Sequence, residues 1–210
     1  MTPNRLDGSC RARFEFFVEG FECKPGSKDL LYDPTRVKLM NDTKAMETLE
    51  RITRTGCMEV HRLYIAPGHN FIGHHGLPPG QNPAIEVTEV DCVAGRGLRG
   101  DRFFDFKENY KGQITFFARE INDAICQELG VNDKPLSVFR RNVITVGVDL
   151  NELIGREFQL QGVHFLGTEE CRPCYWMDQA FAPGAADFLK GRGGLRAMIL
   201  SDGMLRTSAP

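Results

Sequence analysis

The chain has 210 residues, 41% hydrophobic and 26% charged, with a formal net charge of −2. A length of this order supports one large domain or two small ones with a proper core, and the near-neutral balance excludes nucleic acid as the main partner. With 22 glycines and 15 phenylalanines, the composition favours many turns between short strands over a helical bundle.

Met1–Arg13 is polar and lacks the apolar stretch of a secretory signal. No apolar run is long enough to cross a bilayer, so no membrane association is expected. Seven cysteines, an odd number, without an export signal point to a reducing cytoplasm, where a close cysteine pair is functional rather than a structural disulfide. Phe14–Phe21 is aromatic and partly alternating, as in a strand. Asn41-Asp42-Thr43 caps a short helix with Met46, Leu49 and Ile52 on one face and Gly56 as its stop. Residues 1–57 therefore form an N-terminal extension, either an added layer or an arm to a second subunit, which leaves a homo-oligomer open.

From Met58 to the end the pattern is strand-rich. Met58–Ile65 alternates and stops at Pro67-Gly68. A Gly- and Pro-laden loop with His69, His74 and His75 follows, and its histidines lack ligand spacing. Ile85–Val93 is a strand by residue type, though neither face is clean. Gly95–Arg102 holds three glycines and three arginines, a ready anion-binding loop. Gln113–Phe117 leads into the strongest helix, with Phe117, Ile121, Ala124, Ile125 and Leu129 at helical spacing and Gly130 as its stop. Arg140-Arg141-Asn142 opens a β-branched run at Val143–Val148. Val163–Leu166 runs toward the cysteines, Pro183 begins a short helix through Lys190, and Leu195–Leu200 is a last strand after Gly191-Arg192-Gly193-Gly194. Short strands around one solid helix predict a mainly β fold, a compact β-barrel-like domain over 58–210 with a few helices. A parallel βαβ sheet is the alternative, with too few helices to cover its faces.

The densest chemistry lies at Glu169-Glu170-Cys171-Arg172-Pro173-Cys174-Tyr175-Trp176. Half of a zinc site would need a second pair of ligands, and no second CxxC exists. A dithiol redox centre would need a helix starting at the first cysteine, where helix character is weak. Two buried thiols acting as small apolar groups is the plain alternative, and the charged neighbours speak against it. The remaining reading is one thiolate ligating a soft metal, with Arg172 favouring ionisation. Three Arg/Gly or Arg/Asn clusters at strand ends, in a chain of net charge −2, would suit a phosphorylated small molecule. No GxSxG is present, so serine hydrolysis has no support.

Gly97-Leu98-Arg99-Gly100-Asp101-Arg102, Gln113-Ile114-Thr115, Arg140-Arg141-Asn142-Val143-Ile144, Gly147-Val148-Asp149-Leu150-Asn151, Cys171-Arg172-Pro173-Cys174 and Gly193-Gly194-Leu195-Arg196-Ala197 occur in this order. Together they resemble the MOSC domain, named for the C-terminal domain of molybdenum cofactor sulfurase. The resemblance spans roughly Met58 to Arg206 and implies a β-barrel-like fold that binds the molybdenum cofactor, as molybdopterin or its dinucleotide form. It makes Cys174 the metal-ligating and catalytic thiolate. Arg99, Arg102, Arg141, Arg172 and Arg196 become candidates for the cofactor's phosphate and pterin, with Asn142 orienting them. The activity it implies is a molybdenum-dependent oxidoreductase, a reductase of N-hydroxylated small molecules. Residues 1–56 are too short for the extra domains of larger relatives, so electrons would come from an external redox partner protein. The alternative is a sulfur or cofactor carrier with a persulfide on Cys174 and Cys171 resolving it.

Overall fold

The computed structural model describes residues 58–208 apart from Gly73, His75 and Gly76. The strand and helix expected within residues 1–57 lie outside these. The described chain is mainly β with few helices. Its strands are β1 Glu59–Ile65, β2 Ile85–Val87, β3 Glu89–Val93, β4 Gly97–Leu98, β5 Ile114–Ala118, β6 Val143–Val146, β7 Glu157–Leu160, β8 Val163–Glu170, β9 Leu195–Ile199 and β10 Gly203–Arg206. The helices are α1 Arg119–Leu129, α2 Trp176–Ala180 and α3 Ala185–Phe188.

Two sheets form. One has seven strands in the order β2-β1-β6-β5-β9-β8-β7, the other three in the order β10-β3-β4. They pack face to face without closing into a barrel. The shared core contains Val60, Leu63, Ile114, Phe116, Phe165 and Ile199 from the large sheet and Val90, Cys92, Leu98 and Leu205 from the small one. Phe116, Phe158 and Phe165 meet in edge and stacked pairs at its centre. Such buried side chains contribute about 1.5–3 kcal/mol each relative to exposure. The other face of the large sheet, through Tyr64, Phe117 and Ile144, packs under Ile125, Met177, Phe181 and Leu189. Thus the helices cover one face of the large sheet and the small sheet covers the other.

The stretch 85–93 lacks a clean face because it is two strands. The chain breaks at Thr88, so that β2 pairs with β1 and β3 pairs with β10. A mixed pair also appears. β5 and β6 run parallel, joined by α1 as a crossover, while the other pairs are antiparallel. A parallel pair needs such a crossover because a tight hairpin cannot reverse direction twice. α1 stops where expected, at Gly130, whose φ of 64° closes the helix in the left-handed region.

Register aligns a row across the large sheet. Leu63 faces Val143, Val143 faces Phe116, Phe116 faces Leu195 and Leu195 faces Glu170. Segments 66–69 and 140–142 continue past one side of this row, and 171–174 and 191–194 past the other, so only long side chains from 140–142 can join the two. Strand β8 runs to Glu170, so no spacer separates it from Cys171.

Candidate functional site

Two arginines come together past one side of that row because the turn after β4 docks onto the end of β1. The Arg102 amide donates to the Ala66 carbonyl at 2.7 Å, and the Ala66 amide donates to Asp101 Oδ2 at 3.0 Å. The Asp101 carboxylate has no exposed surface. It also accepts from Asn142 Nδ2 at 3.0 Å, the Phe103 amide at 3.1 Å and Arg102 Nη1 at 3.3 Å. Arg102 in turn donates to the Arg140 carbonyl at 3.1 Å and lies over the Phe103 ring, 4.8 Å from its centroid.

Asn142 is buried and spent on the fold. Its Oδ1 accepts from the amide and hydroxyl of Thr115 at 3.1 and 2.8 Å, and its Nδ2 donates to Tyr64 O and to Asp101. An amide has two donors and one acceptor oxygen. All are engaged, so its geometry ties β5, β6, β1 and Asp101 together.

Arg141 faces the cysteine loop. It donates to the carbonyls of Phe139 at 2.9 Å, Gly193 at 3.1–3.2 Å and Cys171 at 3.2 Å. Two of the three glycines of the 191–194 turn, Gly193 and Gly194, are required by these approaches. A Cβ on Gly193 would stand 2.2 Å from Cys171 O, and one on Gly194, at φ +97°, would stand 2.2 Å from Phe116 O. The Gly193 amide donates to Glu170 Oε1 at 3.1 Å, and the Cys171 amide donates to Gly194 O at 2.8 Å. The cysteine loop and the glycine turn are therefore one clasped unit, pinned from below by a guanidinium.

The electrostatics of these arginines are unbalanced. Arg102 lies close enough to Arg140 and Arg141 for their charges to interact, and among the described residues Asp101 is the carboxylate that acts on Arg102 and Arg140. Burial, then Arg102's charge, pulls Arg140 down to about 10, with Asp101 opposing. Burial also lowers Arg102, with Arg141 adding to the fall and Asp101, Tyr110 and Cys171 resisting it. Guanidinium groups remain protonated at neutral pH even so. Among the described residues, Arg140 and Arg141 donate their side-chain hydrogen bonds to backbone carbonyls. Among the described residues, the one buried side-chain polar atom without a partner is Gln159 Oε1.

The other expected site residues lie apart from this cluster. Arg99 is exposed and pairs with Asp91 at 3.2 Å. Arg196 sits opposite Glu169 across β9 and β8 and pairs with it at 3.1 Å. Lys111 holds the same carboxylate, and its bond, against the opposing effect of burial, sets Glu169 below the usual carboxylate range. Arg172 is exposed, near enough to Glu169 to stabilise its charge. The two thiols are unequal: Cys171 is buried and Cys174 exposed, and both are free. Trp176 is buried at the start of α2, stacked on Phe71 at 4.9 Å and Tyr175 at 4.8 Å.

Three contributors were not assigned from sequence. Asp101 and Arg140 stand inside quoted motifs, but pairing alone could not show that one is wholly buried and the other left-handed at φ 52°. His69 packs edge-on against Phe103 at 5.0 Å and Phe106 at 5.4 Å. Burial, and then Arg102, pushes it below the usual imidazole range. The described residues include no group of three or more His, Cys, Asp or Glu side chains suited to hold a metal. A groove of about 570 Å³ lined by Asn122, Cys126, Gln127 and Lys134 lies along α1, away from these residues. No described helix is long and apolar enough to cross a membrane.

Comparison with solved structures places the fold among bacterial proteins. The YuaD protein from Bacillus subtilis matches with a TM-score of 0.52 at 21% identity, over 71% of this chain and 91% of that one. YiiM from Geobacillus stearothermophilus matches with a TM-score of 0.53 at 12% identity, over 73% of each chain. YiiM from Escherichia coli matches with a TM-score of 0.50 at 18% identity, over 71% of this chain and 67% of that one. At these identities the likeness is one of fold. No curated protein sequence matches the chain. The MOSC domain model matches residues 94–207, more than half of the chain and all the arginine and cysteine segments described above except Arg140's partners in 66–82. The chain belongs to the MOSC domain family.

Proposed function

We propose that this MOSC protein binds the molybdenum cofactor at segments 101–102, 140–142 and 171–174, which the Arg141 side chain joins, and works as a reductase of N-hydroxylated compounds. The observation that carries the reading is the excess positive charge of Arg102, Arg140 and Arg141 over Asp101 among the described residues, with Arg141 bonded to the Cys171 carbonyl three residues before the exposed Cys174. Guanidinium groups with spare N–H donors match phosphate oxygens bidentately, and a cysteine thiolate suits a soft metal. The donor set therefore fits a ligand with an anionic end and a metal–sulfur end.

In this reading Cys174 ligates molybdenum from the exposed side of the loop. Arg141 positions that loop through the Cys171 and Gly193 carbonyls, and Arg102 and Arg140 hold the anionic end. Asn142 and Asp101 act beneath them by fixing the two arginine segments. Arg172 and Arg196 flank the loop through Glu169, and Arg99 lies farthest out. When bound, the cofactor supplies the two-electron, oxygen-atom chemistry, while the chain supplies orientation and charge. Electrons would come from a separate redox protein in a reducing cytoplasm, with Arg102 and Arg140 meeting the phosphate or dinucleotide form of the cofactor.

Purification from a cofactor-competent host should yield close to one molybdenum per chain by elemental analysis. Cys174→Ser should lose that metal and the reduction of hydroxylamines. A Cys174→Ser protein with full metal content and full activity would overturn the ligand assignment. The exposure of Cys174 also favours a second reading, a sulfur or cofactor carrier, because a partner can reach the thiol directly. That reading requires cyanide-labile sulfur on Cys174 in protein that carries no pterin.

A further inference from the structure

Opposite β9, strand β8 carries one extra residue just before the cysteines. The pairing runs Gly167 with Ala197, then Glu169 with Arg196 and Glu170 with Leu195, so Thr168 is the added residue of a β-bulge. That residue decides which face the next side chains take, because alternation along a strand has a period of two. Val163, Phe165, Leu195 and Ala197 belong to the core between the sheets. Unbroken alternation from Phe165 would send Glu169 and Cys171 to the same side. The bulge instead sets Glu169 beside Arg196 on the opposite face. The Cys171 amide continues the ladder by donating to Gly194 O at 2.8 Å, so Cys171 follows Glu169 to that face. Its thiol is near enough to Arg102 to act on the guanidinium.

The bulge is held from both sides. Before it, the Gly167 amide donates to Arg156 O at 2.9 Å and the Gly155 amide donates to Gly167 O at 2.8 Å. After it, Lys111 and Arg196 hold the Glu169 carboxylate, and Glu170 Oε1 accepts from the Gly193 amide at 3.1 Å. Thr168 sits between these holds. Its hydroxyl lies 2.6 Å from Lys111 O and 2.9 Å from Arg196 O, and a hydroxyl has one hydrogen to share between the two. Lys111 precedes β5 and Arg196 lies in β9, so one short side chain ties the bulge to two separate stretches of backbone.

We propose that Thr168 is a positioning residue of the cysteine loop, whose hydroxyl holds the bulge that keeps Cys171 buried and leaves Cys174 as the presented thiol. The competing arrangement is a slip of one residue, in which Thr168 pairs with Arg196, Glu169 with Leu195 and Glu170 with Gly194. Leu195 has no exposed surface, so the slip drives the Glu169 carboxylate toward the core without Lys111 or Arg196, where a charge is costly. It also turns Cys171 to the other face and carries Cys174 along the sheet. Thr168 adds to the cost of that slip, because the slip parts its hydroxyl from both carbonyls. The bearing of this on chemistry rests on the reading of Cys174 as the working thiol, while the inequality of the two thiols does not.

Alkylation by N-ethylmaleimide, resolved by fragment mass spectrometry, reads each thiol of the full chain separately. Protein from a host that makes no molybdenum cofactor should label fast at Cys174 and slowly at Cys171, with Cys92, buried in the core, reporting global opening. Thr168→Val keeps the branched shape and loses the hydroxyl. It should raise the Cys171 rate about fivefold relative to Cys92, the weight of roughly one hydrogen bond. Thr168→Ser keeps the hydroxyl and should stay within about twofold of the wild type. Unchanged Cys171 labelling in Thr168→Val overturns the proposal. A rise shared equally by Cys171 and Cys92 does so too, since the loss is then one of overall stability. Thr168→Ser labelling like Thr168→Val would assign the effect to bulk and overturn the role of the hydroxyl. Wild type from a cofactor-competent host that carries no molybdenum removes the reading of Cys174 as a metal ligand, and the labelling rates still decide for or against Thr168.

Discussion

Two groups of arginines from adjacent stretches of this chain do opposite things. Arg96 and Arg99 lie on the surface over Phe104, each matched by its own carboxylate, Asp105 and Asp91. Arg102, three residues on, is turned inward, pairs with the buried Asp101 and lies near the charges of Arg140 and Arg141. The outer pairs are neutralised and sit in water, where an ion pair contributes little. The inner group keeps uncompensated charge in a drier setting, where charge is costly unless something meets it. The same residue type is a solvated face in one place and a site in the other, and the deciding variable is which carboxylate each guanidinium meets.

Removing the carboxylates separates the two groups most sharply. Asp101→Ala deletes the acceptor shared by Arg102, Asn142 and two backbone amides, so unfolding free energy should fall by about 3–5 kcal/mol, the usual cost of breaking one partner of a buried pair. Asp105→Ala should leave the urea midpoint where it is. Equal losses in the two variants would mean that the inner cluster is no more coupled to the fold than the surface pair.

The contrast also shows what was legible beforehand. The mainly β class, the helix ending at Gly130 and the strand leading into the cysteines could be read from periodicity and turn residues, because those signals are local. The break at Thr88 could not. Both halves of 85–93 are good strand residues, and only pairing with β1 on one side and β10 on the other sends them to different sheets. The Arg/Gly clusters were visible as clusters, yet three arginines in eight residues carry no mark of which one points inward. Arg102 turns in because its backbone pairs with Ala66 and its carboxylate neighbour caps the Ala66 and Phe103 amides. The loop of His69, read only as Gly- and Pro-laden, has Asn70 and Asn82 bonded to each other across twelve residues, a pairing with no short-range signature.

A second break comes from Arg141, whose partners are carbonyls. Arg141→Met keeps much of the side-chain bulk and leaves the carbonyls of Cys171, Gly193 and Phe139 to find water. With about 1–3 kcal/mol for an acceptor stranded without a partner, a net loss of about 2–3 kcal/mol in urea unfolding is expected. Arg99→Met, at the surface, should change stability far less. If the Arg141 variant matches the Arg99 variant, the guanidinium is not what pins the cysteine loop.

Histidines sharpen the comparison at its smallest scale, since one accompanies each kind of arginine. His61 lies by the surface residues Arg119 and Arg62, and His69 by the buried Arg102 and Arg140. Burial is the leading cause of a lowered value in both, followed by the nearest arginine. A group whose folded value lies below its unfolded one binds fewer protons when folded. Its stabilising contribution is therefore present above the unfolded value of 6.5 and is lost as the pH falls through the folded one. The urea midpoint should accordingly decline as the pH is taken from 7 down through 6.5 and below. Glutamine at either position should remove part of that decline. Salt distinguishes the two, because exposed charges are screened within about 10 Å at 0.1 M while buried ones are screened less. Added salt should shrink the share of the decline that belongs to His61 and leave more of that belonging to His69. If salt erases both shares alike, the arginines near His69 are as solvated as those at the surface, and the distinction between the two groups fails.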